Sequence, residues 1–375
     1  MGAESPAFAV LGAGAVVQSR HLPALRAVGG RALSIFDPAT AAAQSAADSF
    51  GIPLVARTFE EAIAAEGIGA VLIASPNSFH REQAEGAFAL GRHVLCEKPL
   101  ALTLEDARAM AQAAQQARRV LQVGFHHRFS AEQACVRELL RRGVLGDVRA
   151  FSGSVSEPIE VVHEGVRNYR FDARQGGGLT LIDVGQHRLD QMRDLLGDFC
   201  SVSCEMASVL DSHCIDDSVA LNLRMESGAI GSLGWHRFSR AFTSPLMLYG
   251  TKATLGCSAF ITGPYQSAPV SIYLESAPES VLPPPMLAWT RPAKSWGGLD
   301  AGWIDLWPPR RDTFAEQFRR FFGTVSGGGA PAASGRDGFK AVEVVQGAYR
   351  SFREGRSIRL PLDRAKHEAP PRWQD

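Results

Sequence analysis

The chain is defined first by what it lacks. None of its apolar runs approaches the roughly 18 residues needed to cross a bilayer, so no membrane span is expected. Neither charge sign is in excess: Lys+Arg and Asp+Glu both number 39, which leaves no compositional pull toward nucleic acid. The opening MGAESPAFAV has no basic stretch ahead of an apolar segment, so no secretory signal is expected and a cytoplasmic location is. Six cysteines, at 96, 135, 200, 204, 214 and 257, form no CxxC pair and match no zinc module. Free thiols in a reducing compartment, and no metal centre, are the expectation.

What remains is ordinary globular material, 45% hydrophobic and 21% charged over 375 residues, enough for two or three domains. Up to residue 125, short apolar runs alternate with helical stretches. FAVLG (8–12), ALSIF (32–36), AVLIA (70–74), HVLC (93–96) and VLQVGF (120–125) read as strands. Between them lie a helix reaching Val28, an alanine-rich helix over 39–47, a short one opened by a Thr58–Glu61 capping box, and helices over 78–90 and 103–118. Strands without apolar–polar alternation are buried on both faces, which means a parallel, doubly wound sheet.

Gly12-Ala13-Gly14 sits at the first strand-to-helix turn. Glycine there lets the backbone turn tightly and approach a pyrophosphate at a helix N-terminus. Position 17, where a third glycine would serve helix packing, is Val17. Asp37 ends the second strand, 25 positions after Gly12. A carboxylate there accepts hydrogen bonds from both ribose hydroxyls and repels a 2′-phosphate, so NAD rather than NADP is the expected cofactor. Read alone, Asp37 before Pro38 is also a plain turn residue.

After another capping box at Ser130–Gln133 and a helix to Arg142, the pattern changes. Residues 147–157, 201–210, 217–225, 229–238 and 244–250 are β-rich, with Glu226-Ser227-Gly228 as a hairpin turn. Consecutive strands with short links predict an open, mostly antiparallel sheet with helices on one face. Its free face points to a homodimer or homotetramer. Helices over about 312–325 and 336–354 close the chain and are placed for packing back on the first domain.

One helical stretch interrupts those strands: GGGLTLIDVGQHRLD (176–190). Leu179, Ile182, Leu189, Met192 and Leu196 form an apolar stripe, and Asp183, His187, Asp190 and Asp194 a polar one. Residues four apart share a helix face, so Asp183 and His187 are neighbours. From spacing alone the polar stripe is equally a solvated helix face.

Together these segments resemble the glucose–fructose oxidoreductase/inositol dehydrogenase/rhizopine-catabolism (Gfo/Idh/MocA) family. The resemblance is carried by VLGAGAVVQSRHLPAL (10–25), IASPNSFH (73–80), CEKPLALTLEDA (96–107) and the GGG stretch, with weaker echoes in GFHHRF (124–129), YGTKATL (249–255) and the tail. It departs at Ala253 and in the Trp/Pro-rich segment 281–311, which does not align. The resemblance implies a Rossmann dinucleotide-binding domain over 1–125, and a substrate-binding and oligomerisation domain over 126–375. It implies Lys98, Asp183 and His187 as the catalytic set. The implied cofactor contacts are Gly12, Gly14, Ala15, Val16, Asp37, Ser75, Pro76, Asn77, His80, Glu97 and Lys98. The implied substrate contacts are Lys98, His126, Arg128, Tyr169, Arg170, Asp183 and His187, with Glu157, His163 and Arg167 as further specificity positions. His21 reads as helix packing or capping.

In this reading His187, whose unperturbed pKa of about 6.5 suits proton transfer, is the base for an alcohol proton. Lys98 stabilises the developing alkoxide, and Asp183 orients His187 or holds a hydroxyl. The implied activity is an NAD-dependent dehydrogenase acting on a polyol, cyclitol or sugar, with no nucleic-acid or membrane partner. Three rivals stand beside it: an NAD-requiring glycoside hydrolase or epimerase working by transient oxidation, a non-catalytic dinucleotide sensor, and a metal-dependent lyase or hydrolase using Asp183, His187 and His126 as ligands.

Overall fold

The five apolar runs, joined by a two-residue strand that the sequence reading did not include, Leu54–Val55, make a parallel sheet of six: β1 (Ala7–Leu11), β2 (Ala32–Phe36), β3 (Leu54–Val55), β4 (Ile68–Ile73), β5 (His93–Cys96) and β6 (Leu121–Val123), in the order β3-β2-β1-β4-β5-β6. This computed structural model describes residues 5–158, 175–209, 216–258, 268–292 and 302–362. The strand order reverses between β1 and β4, and the carboxyl ends of the strands at such a switch point form a ligand crevice. The segments following β1, β4, β5 and β6 all open there: Gly12 to Val16, Ser75 to Asn77, Glu97–Lys98 and His126–His127. Of the two expected capping boxes neither closes reciprocally. Thr58 accepts from the Glu61 amide, but the Glu61 carboxylate reaches back to the Arg57 amide instead. Ser130 accepts from the Gln133 amide, while the Gln133 side chain bonds Asp194.

The second sheet is larger than the sequence reading. It contains β7 (Val148–Pro158), β8 (Phe199–Ala207), β9 (Ser218–Met225), β10 (Ile230–His236), β11 (Phe238–Thr243), β12 (Pro245–Gly250), β13 (Ala253–Ser258), β14 (Val270–Leu274), β15 (Thr290–Pro292), β16 (Trp303–Leu306) and β17 (Ile358–Arg359). The order is β15-β16-β14-β13-β12-β7-β10-β9-β8-β17, with β11 against β7. Hairpins make it mostly antiparallel. The exception is β7, which runs parallel to β10 because the GGG segment carries the chain over the sheet before β8. The unaligned 281–311 stretch supplies β15 at one edge and β16 beside it.

Two closing helices join the layers. Thr313–Gly327 buries Phe318 and Phe321 against Phe8 of β1, so it packs on the first sheet. Gly335–Glu354 places Ala341 in that domain's core and Val344, Val345, Ala348 and Tyr349 in the core of the second.

The GGG segment is held from below. It enters a wide helical turn, Thr180–Gly185, and continues as the helix Gln186–Leu196. The fully buried Asp216 takes the Leu179 and Thr180 amides on Oδ1 at 2.9 and 2.8 Å and the Leu181 amide on Oδ2 at 2.8 Å. The Tyr349 hydroxyl donates to the same carboxylate at 3.3 Å. Three first-turn amides, which a helix leaves unsatisfied, are thereby met by one carboxyl group. Gly178 has φ of +129°, and a Cβ there would stand 2.5 Å from the Tyr349 hydroxyl, so no other residue fits. Asp216→Ala strands those amides in the core. Urea unfolding should show a loss of at least about 3 kcal/mol; a loss below about 1 kcal/mol would contradict the anchoring role.

Candidate active site

At the first crevice the chain fits a dinucleotide. Gly12 has φ of +104°, and a Cβ there would stand 2.6 Å from the Ala74 carbonyl. Gly14, by contrast, faces open space, where a side chain would fill the cradle that the exposed Gly14, Ala15 and Val16 line. Asp37 accepts the Ala13 amide at 2.7 Å and the Ala39 amide at 2.8 Å. An ionised carboxylate has about four acceptor positions, so room for ribose hydroxyls remains while a 2′-phosphate is repelled.

Lys98 follows β5, and its ammonium forms an ion pair with the Asp183 carboxylate while also donating to the Asp183 carbonyl at 3.1 Å. Each side chain is 12% exposed, so the pair is largely out of water but open on one side. His187 lies one turn beyond Asp183, and its Nδ1 is buried without a partner. Its ring stacks on His127 at 4.3 Å and 20°, and His126 meets it edge-on at 5.0 Å. His126 in turn stacks on Phe314 and shares a hydrogen bond of 3.0 Å with Thr313. The polar stripe of the GGG helix is therefore not a wet face. Asp183 meets Lys98, Asp190 is buried against Arg128, and Asp194 pairs with Arg137.

Several implied site residues already have partners within the protein. The Arg128 Nε and Nη2 donate to Asp190 at 2.7 and 2.6 Å and its Nη1 to the Ala332 carbonyl at 2.6 Å. His80 is fully buried, with its ring nitrogens 2.9 Å from the Pro99 carbonyl and 3.1 Å from the Ser75 carbonyl, where it ties the loops after β4 and β5 together. Ser75 spends its hydroxyl on Gln83. Asn77 donates to the Gly176 carbonyl at 2.9 Å and so joins the first domain to the GGG segment, beside Pro76 in the crevice. His21 does more than pack, because its Nε2 lies 2.8 Å from the Glu97 carboxylate. Tyr169, Arg170, His163 and Arg167 lie outside the described residues. Sequence reasoning missed the partnership of His127 with His187, visible in retrospect only as a second histidine after β6. It also missed Asp216, one of two adjacent aspartates at a strand start.

Burial dominates the electrostatics. It lowers the pKa of His187 and His126 well below the ordinary value, with the neighbouring imidazoles and Lys98 adding to the effect. For His127 burial, then Arg188 and Lys98, bring it to about 4. All three rings are neutral near pH 7. Burial alone would raise the Glu97 carboxyl, but the His21 hydrogen bond and the Lys98 charge outweigh it and hold the pKa low. Burial raises Glu157 despite its ion pair with Arg237, and the Asp183 charge adds to the rise.

Nitrogens of His126, His127 and His187 lie within 4.8 Å of one another. A metal needs in-plane lone pairs that converge on one point. The His127 and His187 planes are only 20° from parallel, so in this arrangement their lone pairs do not converge. Asp183, the carboxylate of the metal reading, is engaged by Lys98.

The three imidazoles set an acid limit on stability. Unfolded histidine takes up a proton near pH 6.5, whereas the folded rings resist until lower pH. The unfolded state thus binds more protons, and stability rises with pH through this range. It should be complete above about pH 6.5 and fall on acidification toward about pH 4, where His127 titrates. Urea midpoints measured across the range test this; a flat profile would contradict neutral, buried rings.

Similarity to known proteins agrees with this geometry. Residues 7–125 match the oxidoreductase family with an NAD-binding Rossmann fold (GFO/IDH/MocA), and residues 134–256 match the GFO/IDH/MocA C-terminal domain. The chain is 29% identical over 255 residues to a 1,5-anhydro-D-fructose reductase of Ensifer adhaerens, covering 66% of this chain and 74% of that one. It is 26% identical to the inositol 2-dehydrogenase of Rhizobium meliloti, covering 94% and 98%. The fold matches that of a levoglucosan dehydrogenase solved with NADH and levoglucosan, with a TM-score of 0.81 at 20% identity over 96% of this chain and 100% of that one. The chain belongs to the GFO/IDH/MocA oxidoreductases, and its first domain is that family's NAD-binding Rossmann domain.

Proposed function

We propose that the protein is an NAD(H)-dependent dehydrogenase that interconverts a secondary alcohol and its ketone on a sugar, cyclitol or related polyol. The observation that carries this reading is the junction of Lys98 with Asp183, one turn from a neutral His187, at the carboxyl ends of the dinucleotide-binding strands. Bound NAD supplies the hydride acceptor. The chain's own groups handle the proton and the charge. Lys98 donates a hydrogen bond to the reacting oxygen and stabilises its anionic character. His187 accepts the hydroxyl proton as the C–H pair leaves as hydride. Its low basicity makes the protonated ring a ready donor in the reverse direction. Asp183 fixes the ammonium, and Glu97, clamped by His21, holds the start of the Lys98 loop by accepting the Lys98 amide at 3.1 Å.

Substrates named for the relatives, an anhydrofructose and an inositol, are polyhydroxylated rings, which is why this class is proposed here. Lys98→Ala and His187→Ala should retain NADH affinity and lose turnover by about 10²–10⁴-fold. Normal turnover in both variants would overturn the assignment.

The second domain is proposed to mediate self-association. On the sheet face away from the helices, register places Ile230, Ala150, Tyr249, Thr254, Tyr273 and Trp303 in one row across six strands. Ile230 is 50% and Tyr249 40% exposed, an apolar stripe of the kind that pairs with a second sheet. Light scattering should give a multiple of the 40.3 kDa chain mass; a single-chain mass would refute the dimer or tetramer.

A further inference from the structure

Four arginines are buried among the described residues, and three of them have carboxylate partners. Arg128 meets Asp190, Arg193 meets Asp198, and Arg237 meets Glu157. Arg188 does not. It follows His187 directly and is 6% exposed. Its Nη2 donates to the Ser244 carbonyl at 3.0 Å and to the Ser244 hydroxyl, while its buried Nε has no partner. A guanidinium carries five donors and keeps its charge at all accessible pH. Burying that charge without an anion is costly.

The surroundings do not compensate. The field of Arg188 reaches His127, which stacks on the proposed base and is itself neutral. The nearby Cys257 thiol is pushed by burial up to about 11, so it carries no charge either. Among the described residues this positive charge meets no anion, and it stands one residue past His187 on the same helix.

We infer that Arg188 is an anion-reading group of the substrate pocket, and that the alcohol or ketone substrate carries a carboxylate, as in a sugar acid. One planar guanidinium with a free Nε matches a carboxylate monoanion better than a phosphate dianion, which ordinarily draws several cations. The inference rests on the dehydrogenase reading for the word substrate, but the anion site itself does not need turnover.

The test is equilibrium binding to the NADH-loaded protein, read by nicotinamide fluorescence and thermal shift. Glucuronate, galacturonate and gluconate are compared with glucose, galactose and glucitol at low salt. The acids should bind at least about tenfold more tightly. The preference should collapse in Arg188→Gln with NADH affinity intact, and Arg188→Lys, which keeps the charge without the fork, should retain part of it. Absence of acid binding, equal binding of neutral partners, or a preference that survives Arg188→Gln overturns the inference. Turnover confined to neutral sugars would overturn it too and leave the dehydrogenase standing. Acid binding without turnover of either class would uphold the anion site and count against the dehydrogenase.

Discussion

One contact organises the molecule: the ion pair of Lys98 with Asp183. Lys98 leaves a strand of the cofactor domain, and Asp183 rides the helical segment of the other domain. As a stabiliser a half-enclosed pair contributes little, because desolvation of both charges offsets their attraction. As a constraint it is strict, since it fixes the ammonium and, one turn on, the imidazole of His187. Neighbouring bonds converge on the same junction. Asn77 holds the Gly176 carbonyl and Gln346 holds the Leu102 carbonyl. Removing the acid that caps this segment, Asp216, would leave the ion pair with nothing rigid to point from.

The chemistry follows from how little charge is left free around that pair. Three imidazoles are packed into a neutral stack, Glu97 is matched by His21, and Glu157 by Arg237. In such a low-dielectric pocket a charge appearing on a substrate oxygen is felt strongly by the groups that face it. Lys98 enters it from the cofactor domain, and Arg188 follows His187 on the helix of the other. A neutral His187 beside two cations is biased toward releasing a proton, and accepts one only as negative charge develops next to it.

Much of this was legible in the sequence, for identifiable reasons. The first sheet could be read because buried parallel strands are continuous apolar runs, and ALSIF and HVLC keep the expected limits. Gly12 and Asp37 could be read because a tight turn and a strand-end acid have few substitutes. Asp183 and His187 were legible as a pair, since four residues on a helix share a face, yet spacing could not say whether that face was wet. That depended on Arg128, Arg137 and Lys98 arriving from 57 to 85 positions earlier in the chain. Partners distant in sequence were equally invisible: nothing near His80 or Arg128 in the chain announces their acceptors, the Pro99 and Ala332 carbonyls and Asp190. Strands β15 and β16 of the second sheet were missed because Trp- and Pro-rich sequence lacks the alternation that marks half-buried strands, and the sheet itself supplies the pairing that the local sequence does not.

The central claim is that Lys98 and His187 share one substrate oxygen. A crystal structure of the ternary complex with NADH and a bound sugar or sugar acid tests it most directly. The account predicts the oxygen of the carbon nearest the nicotinamide ring at about 3 Å from both the Lys98 ammonium and a His187 ring nitrogen. An oxygen bound by neither group, or a substrate turned so that another carbon faces the ring and Lys98 touches only Asp183, would contradict it.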